Sequence, residues 1–150
     1  MNILFVCTGN TCRSPLAEAI LRHELAERDI QDVEVSSAGT GAWDGSPASE
    51  GAYLVALEHG LDLSAHRARL LTRDLVRGAD LILTMSPHHR ARAEALGAGD
   101  RAQTLMGYAG EDDGEEVPDP YGSNLDDYRA AFDRLNSLIA VIADRLVAER

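Results

Sequence analysis

The chain alternates between short apolar runs and longer segments in which apolar residues recur every three or four positions. Runs rich in β-branched and aromatic residues predict strands at 3–6, 33–38, 80–85 and 102–106. Helical periodicity predicts helices at 15–28, 48–59, 73–77 and 87–96, and a last helix that begins at 123 or 124. Because strands and helices alternate, we predict an α/β fold with parallel strands, in one domain over residues 1–150.

Two of the predicted helices carry expectations about their buried faces. The last helix has the longest regular pattern, and we expect one of its faces to cover the sheet through Leu125, Tyr128, Phe132, Leu135, Ile139, Ile142 and Leu146. In the helix at 48–59, Tyr53, Leu54 and Leu57 are expected to face the core. Gly60 is expected to end that helix at the C′ position.

The first strand leads into the segment Cys7-Thr8-Gly9-Asn10-Thr11-Cys12-Arg13-Ser14-Pro15. Ser14 followed by Pro15 is typical of a helix N-cap and first helical turn. The segment is therefore predicted to connect the carboxyl end of a strand to the start of a helix. Such a loop directs backbone N–H groups and the positive end of the helix dipole toward one point, which favours binding of an anion.

The side chains of this loop indicate which chemistry the anion site supports. A nucleotide-binding phosphate loop needs a Lys before Ser or Thr, and this chain contains no Lys. Cys7 opens the loop instead, near the fixed positive charge of Arg13. We expect these surroundings to lower the pKa of the Cys7 thiol below that of a free cysteine, which is about 8.5, and to make the thiolate a nucleophile.

Composition and charge limit the classes of partner. The net charge of −11 disfavours nucleic acid and anionic membranes, since sequence-independent binding to either needs a basic surface. No run approaches the roughly 20 apolar residues of a membrane span, and no cleavable leader is recognisable, so a cytoplasmic location is expected. The two cysteines lie in one loop, which excludes a disulfide scaffold and a four-ligand zinc site but allows one reversible Cys7–Cys12 disulfide.

Two further loops carry candidate site residues. The segment 39–47 follows the second strand, and parallel neighbouring strands would bring it to the same sheet edge as the cysteine loop, with Trp43 as a wall of the site. The acidic run 111–116 is interpreted as a solvated connection. Beyond it, Pro118 and Pro120 flank Asp119 and hold its carboxylate on a stiff, non-helical loop.

These features resemble the low-molecular-weight protein tyrosine phosphatase family over nearly the whole chain. The resemblance rests first on the N-terminal motif in which five residues separate Cys7 from Arg13-Ser14. It rests also on Asp119-Pro120-Tyr121, about thirty residues from the end. Ser37-Ala38-Gly39, Trp43, Ser64-Ala65-His66 and the run 80–85 also match. The resemblance implies a three-layer, flavodoxin-like fold with a central four-stranded parallel sheet and helices on both faces. It also implies a phosphatase that uses no metal and no organic cofactor.

The resemblance assigns the chemical steps to three residues. Cys7 would attack phosphorus and form a phosphocysteine, while Arg13 and the loop N–H groups hold the phosphate oxygens. Asp119 would protonate the leaving group and then accept a proton from the water that hydrolyses the intermediate. The remaining members of the implied phosphate-binding loop are Thr8, Gly9, Asn10, Thr11, Cys12 and Ser14.

Other residues match family positions that support the loop or line the site. Ser14 is similar to the serine that hydrogen-bonds the thiolate. Asn10 is similar to an asparagine in the left-handed backbone conformation, which is held by residues that match Ser37 and His66. Tyr121 is expected, like Trp43, to form a wall for the substrate.

Thr11 departs from the commoner family pattern. Tyrosine-directed members usually carry a bulky aliphatic residue there, and Thr resembles the branch that dephosphorylates phosphoarginine in proteins. A guanidinium is a planar cation with several hydrogen-bond donors, so a polar pocket and the carboxylate of Asp119 suit it better than they suit a phenol. Gly122, in place of a second aromatic residue, also favours phosphoarginine.

Several alternatives remain open from the sequence. One alternative is a protein phosphatase, directed at either phosphoarginine or phosphotyrosine. A second is an arsenate reductase, although reduction generally needs a third cysteine outside the loop. A third is a non-catalytic protein that binds phosphorylated residues. Cys12 is either a small buried hydrophobic residue or a disulfide partner for Cys7. His88 and His89 are interpreted as a solvated helix start rather than as a metal or phosphate site.

Overall fold

The computed structural model describes residues 1–149 and alternates strands with helices. The strands are β1 (Asn2–Cys7), β2 (Glu34–Gly39), β3 (Leu81–Thr84) and β4 (Ala102–Thr104). The helices are α1 (Arg13–Glu27), α2 (Glu50–Glu58), α3 (Arg73–Gly78), α4 (Pro87–Ala95), α5 (Leu105–Tyr108) and α6 (Leu125–Ala148). A single 3₁₀ turn at Gly99–Arg101 precedes β4.

The strands form a four-stranded parallel sheet in the order β2-β1-β3-β4. Alternate residues of β1 enter two separate apolar clusters, because successive side chains point to opposite faces of a strand. Ile3 and Phe5 pack in a cluster with residues of α1, α2 and α6, whereas Leu4 and Val6 pack with residues of α3 and α4. Helices therefore cover both faces of the sheet, and the predicted three-layer α/β fold is confirmed.

The long helix α6 covers the sheet through the face that the sequence predicts. It begins after Asn124, whose side chain accepts a hydrogen bond from the backbone N–H of Asp127 at 2.9 Å. Six of the seven predicted residues are buried and Leu125 is partly buried. Since each large apolar side chain contributes roughly 1.5–3 kcal/mol on burial, this face is a major source of stability.

Helix α2 buries a different face from the predicted one. Ala52, Val55 and Ala56 are buried, whereas Leu54 and Leu57 are exposed. A Cβ atom built on Gly51 would lie 2.4 Å from the ring of Tyr128 in α6, so this face of α2 approaches α6 closely. Close approach selects small residues and leaves the leucines outside, and for that reason the side-chain pattern alone misidentified the face.

The fourth strand is shorter than predicted. It ends at Thr104, and residues Leu105–Tyr108 form a helical turn instead of continuing the strand to 106. The Thr104 hydroxyl accepts a hydrogen bond from the backbone N–H of Gly107 at 3.0 Å and so caps that turn. The apolar pair Leu105 and Met106 is buried from a helix rather than from a strand, a distinction that a short apolar run does not reveal.

Candidate active site

The loop at residues 8–12 connects the end of β1 to the start of α1, as predicted. The helix begins at Arg13, earlier than expected, and its N-cap residue Cys12 makes no side-chain cap hydrogen bond. The prediction that Ser14 caps the helix is wrong. Its hydroxyl lies in the first turn, 2.8 Å from the Cys7 sulfur, and accepts a hydrogen bond from the Asn10 amide at 2.7 Å.

Cys7 is almost fully buried at the end of β1, with 3% of its surface exposed. Burial raises the pKa of the Cys7 thiol, because a thiolate loses hydration there. The hydroxyl and backbone N–H of Ser14, the charge of Arg13 and the backbone N–H of Asn10 lower this pKa without offsetting the burial effect. The predicted decrease is therefore wrong: the sequence indicated the stabilising groups, but it did not show how deeply the thiol lies.

Asn10 holds the centre of the loop in the left-handed conformation, with a φ of 57°, as predicted. Its side-chain amide donates to the hydroxyl of Ser37 at 2.9 Å, and its carbonyl oxygen accepts a hydrogen bond from His66 Nε2 at 2.7 Å. The backbone N–H of Arg69 donates to Asn10 Oδ1 at 2.9 Å, a contact that the sequence did not indicate. These contacts fix a conformation that costs a non-glycine residue free energy when unsupported.

The end of β2 forms a second support for the loop. The backbone N–H groups of Thr40 and Gly41 donate to the carbonyl oxygens of Cys7 and Thr8, both at 2.9 Å. A Cβ atom at Gly39 would lie 2.4 Å from the carbonyl oxygen of Thr8. Glycine at position 39 is therefore required by the close approach of the two backbones, which explains the Ser-Ala-Gly segment in physical terms.

Arg13 connects the loop to the segment that carries Asp119. The guanidinium is 2% exposed, and its Nη1 atom donates to the carbonyl oxygen of Val117 and to Glu116 Oε1, both at 2.9 Å. Its Nη2 atom lies 3.5 Å from Asp119 Oδ2. The acidic run 111–116 is thus not only a solvated connection as interpreted, because its last residue forms an ion pair with a buried arginine.

Asp119 itself is accessible from solvent. Its side chain is 44% exposed, and its Oδ1 atom accepts a hydrogen bond from the backbone N–H of Tyr121 at 3.1 Å. The surrounding segment is anchored by the buried residues Val117 and Pro120, and the Val117 N–H donates to the carbonyl oxygen of Met85 at 2.8 Å. The carboxylate therefore sits on an anchored backbone while its oxygens remain available to a ligand.

A cavity of about 450 Å³ brings most of the predicted site residues together. Nine of them line it: Cys7, Thr8, Gly9, Thr11, Cys12, Arg13, Trp43, Asp119 and Tyr121. Trp43 and Tyr121 are 83% and 72% exposed and stand at the rim. Asn10, Ser14, Ser37 and His66 contact the loop without lining this cavity, consistent with the supporting positions expected for them.

Comparison with known proteins agrees with this geometry. The family model described as "Low molecular weight phosphotyrosine protein phosphatase" matches residues 2–150. The chain belongs to this family. It is 39% identical to a protein-arginine-phosphatase of Geobacillus stearothermophilus, over 99% of this chain and 97% of that protein. It is 38% identical to the low molecular weight protein-tyrosine-phosphatase Wzb of Escherichia coli K12, again over 99% and 97% of the two chains.

A solved family structure has the same fold. The structure of a YwlE arginine phosphatase mutant with a phosphorylated active-site serine superimposes with a TM-score of 0.91 and 35% identity, over 100% of this chain and 98% of that one. Its phosphorylated side chain supports cysteine-based chemistry in the family, because the mutation replaces a cysteine by that serine.

Cys12 is buried beside two hydroxyl groups whose contacts with it the sequence did not predict. Its sulfur lies 3.1 Å from the Ser49 hydroxyl and 3.4 Å from the Tyr128 hydroxyl, and both Cys7 and Cys12 are free thiols. Burial, followed by the hydrogen bond with Cys12, raises the pKa of Tyr128 to about 12. Ser49 is the N-cap residue of α2 and Tyr128 lies in α6, so their proximity to the loop depends on helix packing.

The interpretation of His89 as part of a solvated helix start is wrong. It is fully buried rather than solvated, and its Nε2 atom lies 2.8 Å from the Thr8 hydroxyl oxygen. A usable signal existed, since His89 lies in the first turn of the helix after β3, and β3 neighbours β1 in a parallel sheet.

Residues 1–149 lack two further kinds of feature. Within that range there is no group of three or more His, Cys, Asp or Glu side chains that could hold a metal ion. No helix in the same range is long and apolar enough to cross a membrane.

Proposed function

We propose that this protein hydrolyses phosphoarginine in protein substrates through a phosphocysteine intermediate. The observation that carries the proposal is one cavity lined by a cysteine nucleophile candidate, a buried arginine, an accessible carboxyl group and Thr11. Membership of the phosphatase family supports the reaction type. We also propose that residues 1–150 form a single catalytic domain.

In the first step, the Cys7 thiolate attacks phosphorus and the bond from phosphorus to the leaving nitrogen breaks. The Ser14 hydroxyl, 2.8 Å away, donates a hydrogen bond to the thiolate and lowers the cost of ionising the buried sulfur. Arg13 and the loop N–H groups bind the equatorial phosphate oxygens. The carboxyl proton of Asp119 passes to the leaving nitrogen, so that arginine departs as a complete guanidinium.

In the second step, water attacks the phosphocysteine and the phosphorus–sulfur bond breaks. The Asp119 carboxylate accepts a proton from that water, and Cys7 departs as a thiolate that the Ser14 hydroxyl stabilises. The products are inorganic phosphate and the starting enzyme. The 44% exposure of Asp119 supports this double role, because the same carboxylate must reach first the leaving group and then a water molecule.

Thr11 and Asp119 support the preference for phosphoarginine. Thr11 lines the cavity with a short, polar side chain, and the carboxylate of Asp119 lines the same cavity. The Thr11 hydroxyl and the Asp119 carboxylate suit a cationic guanidinium, which donates several hydrogen bonds in one plane. The chain is nearly equally identical to the protein-arginine-phosphatase and to the protein-tyrosine-phosphatase Wzb, so the proposed preference rests on the residues of the site.

A tyrosine-directed phosphatase is the alternative function. The exposed rings of Trp43 and Tyr121 at the rim favour it, because aromatic walls stack well on a phenol. Two other readings have less support. An arsenate reductase generally needs a third cysteine outside the loop, and the sequence has only two cysteines. A non-catalytic binder would be expected to lack the nucleophile or the acid, whereas Cys7 and Asp119 are both present.

The test compares turnover of phosphoarginine and phosphotyrosine peptides of matched sequence by the unmodified protein and by Thr11→Ile. We expect the unmodified protein to prefer phosphoarginine in kcat/KM by at least about tenfold, equivalent to roughly 1.4 kcal/mol. Thr11→Ile should shift the ratio toward phosphotyrosine by a similar factor, because the larger apolar side chain removes the polar contact. The same ratio in both proteins would contradict the role of Thr11, and no turnover of either peptide would contradict the phosphatase proposal.

We further propose that the partners are phosphorylated proteins, with phosphate or another oxyanion bound in the loop. The net charge of −11 disfavours nucleic acid and anionic membrane surfaces as partners. A cytoplasmic location is proposed because the mechanism needs a reduced Cys7, and cytosolic thiols are kept reduced.

A further inference from the structure

His89 is a buried histidine outside the catalytic cavity, and both of its ring nitrogens are engaged. Its Nε2 atom lies 2.8 Å from Thr8 Oγ1, and its Nδ1 atom lies 2.7 Å from Ser86 Oγ. The ring is completely inaccessible to solvent. His89 is not among the cavity-lining residues, whereas Thr8 is.

Thr8 follows Cys7 directly and makes hydrogen bonds to residues that come after two neighbouring strands. Its carbonyl oxygen accepts the hydrogen bond from Gly41, which follows β2. Its hydroxyl meets His89 in α4, which follows β3. Since β1 lies between β2 and β3 in the sheet, these contacts reach the loop from opposite sides. Position and orientation of the Thr8 peptide are therefore constrained by both.

The His89 ring is a neutral linker and not an acid or base in the working range of the enzyme. Burial, then the charges of His88 and Arg13, lower the pKa of His89 to about 3. A neutral imidazole has one N–H donor and one acceptor nitrogen. In either tautomer the ring donates one hydrogen bond and accepts the other, so that both hydroxyl groups, of Thr8 and Ser86, remain bound.

We propose that His89 is a positioning residue that acts through Thr8 to hold the phosphate loop in its reactive geometry. The inference rests on the proposed phosphatase function. A buried polar ring in this place costs desolvation free energy, which an apolar side chain would avoid. The hydrogen bond with His89 fixes the orientation of the Thr8 side chain. The Thr8 side chain in turn fixes the direction of the first backbone N–H groups after the nucleophile. These groups bind the oxygens most strongly in the transition state, where charge is redistributed.

The first experiment compares two conservative substitutions that separate the two hydrogen bonds. In His89→Gln the side-chain amide lies near the position of Nε2 and can still bind Thr8. In His89→Asn the shorter amide lies near the position of Nδ1 and can bind only Ser86. We expect His89→Asn to lower kcat about tenfold, which corresponds to one lost hydrogen bond, with KM within roughly twofold. His89→Gln should keep kcat within about threefold.

His23→Gln is the matched control, because His23 is an exposed histidine on α1 whose Nε2 atom lies 3.7 Å from Glu27 Oε1. Its kinetic constants should equal those of the unmodified protein. A purely structural role for His89 would reduce the melting temperature of the Asn and Gln variants alike and change kcat alike in both. Equal kcat values for these two variants would therefore overturn the proposal.

A double-mutant cycle tests whether His89 acts through Thr8. Thr8 is exposed on its other side, so Thr8→Val and Thr8→Ser are expected to fold even if a His89 variant does not. Thr8→Val should lower kcat about tenfold, and Thr8→Ser should lower kcat by clearly less, because only serine keeps the hydroxyl. In the Thr8→Val background, His89→Asn should have no further effect on kcat. If the losses of kcat from Thr8→Val and His89→Asn multiply in the double variant, the coupling is refuted. Equal kcat values for Thr8→Val and Thr8→Ser would also refute the coupling.

Oxyanion binding separates this proposal from the proposed function. Orthovanadate forms the trigonal-bipyramidal geometry of the transition state, whereas inorganic phosphate resembles the product. By calorimetry, His89→Asn should bind orthovanadate about tenfold more weakly and phosphate within about twofold, and His89→Gln should bind both like the unmodified protein. Failure of the unmodified protein to hydrolyse any phosphorylated substrate would overturn the function alone. Equal vanadate affinities of the two variants would overturn the role of His89.

Discussion

The two parts of the site differ in how they are built. The loop that follows β1 is buried and tied to several elements: Asn10 and Ser14 have no exposed surface, and their side chains are fully engaged in hydrogen bonds. The segment 111–122, which carries Asp119, is largely exposed, and Val117 and Pro120 are its buried anchors. Arg13 joins the two parts through Val117, Glu116 and Asp119.

This difference matches the tasks of the two parts in the proposed reaction. Groups that stabilise a transition state act best when they are fixed before the reaction, so the nucleophile loop is built into the core. The acid has to serve a leaving group in one step and water in the next, so it stays accessible on an anchored loop. The contrast predicts large losses when reacting groups are removed and small losses when their supports are changed.

The largest effect is expected for Cys7→Ser, which removes the proposed nucleophile from the buried loop. Turnover of an aryl phosphate should fall at least about 1,000-fold, because a serine hydroxyl is a much weaker nucleophile than a thiolate at neutral pH. Mass spectrometry with excess substrate should find phosphate on Ser at position 7. Undiminished turnover by this variant, with normal thermal unfolding, would contradict the assignment of the nucleophile.

Asp119→Asn should have the next largest effect and tests the exposed part. We expect kcat for a phosphorylated peptide to fall by about 100-fold, because the amide cannot protonate the leaving group. The loss should be smaller for an aryl phosphate whose leaving group needs no proton. Asp100→Asn, an exposed carboxylate in the 3₁₀ turn before β4, is the matched control. A loss that is independent of the leaving group would argue against an acid role.

Glu116→Ala tests the connection between the two parts and should have a moderate effect. Glu116 is 47% exposed but pairs with an arginine that is buried, so its removal should lower kcat/KM by about fivefold, equivalent to roughly 1 kcal/mol. Glu116→Gln should lose less, since its amide oxygen still accepts a hydrogen bond from Arg13. Glu115→Gln, next to it in the sequence, serves as the control, and equal losses at the two positions would show that only the overall charge matters.

The smallest effect is expected for Ser14→Ala, on the pH dependence of Cys7 alkylation. Because burial raises the pKa of Cys7, alkylation of Cys7 by iodoacetamide should still increase with pH above about 8.5, where a free cysteine is half ionised. Ser14→Ala removes a group that lowers this pKa and should move the increase to higher pH. Alkylation that is already maximal at pH 7, in the protein without ligand, would show that the loop dipoles and Arg13 outweigh burial.

The sequence determined most of the architecture, because local patterns carry it. The spacing of apolar residues predicted the alternation of strands and helices and the α6 face from Tyr128 to Leu146. It also predicted the order of strand, loop and helix around Cys7. Family motifs led to the contacts of Asn10 with Ser37 and His66. These features depend on residues near one another in the chain or on a pattern that the whole family shares.

Only the tertiary structure decided the features that depend on packing between distant segments. The pKa of Cys7 follows from its burial depth, and the small-residue face of α2 follows from its approach to α6. The Glu116–Arg13 pair joins residues more than a hundred positions apart, and Thr8 and His89 are 81 positions apart. No local pattern encodes such distances, because a side chain's surroundings are set by how the sheet and helices pack, whereas its chemical type is written in the sequence.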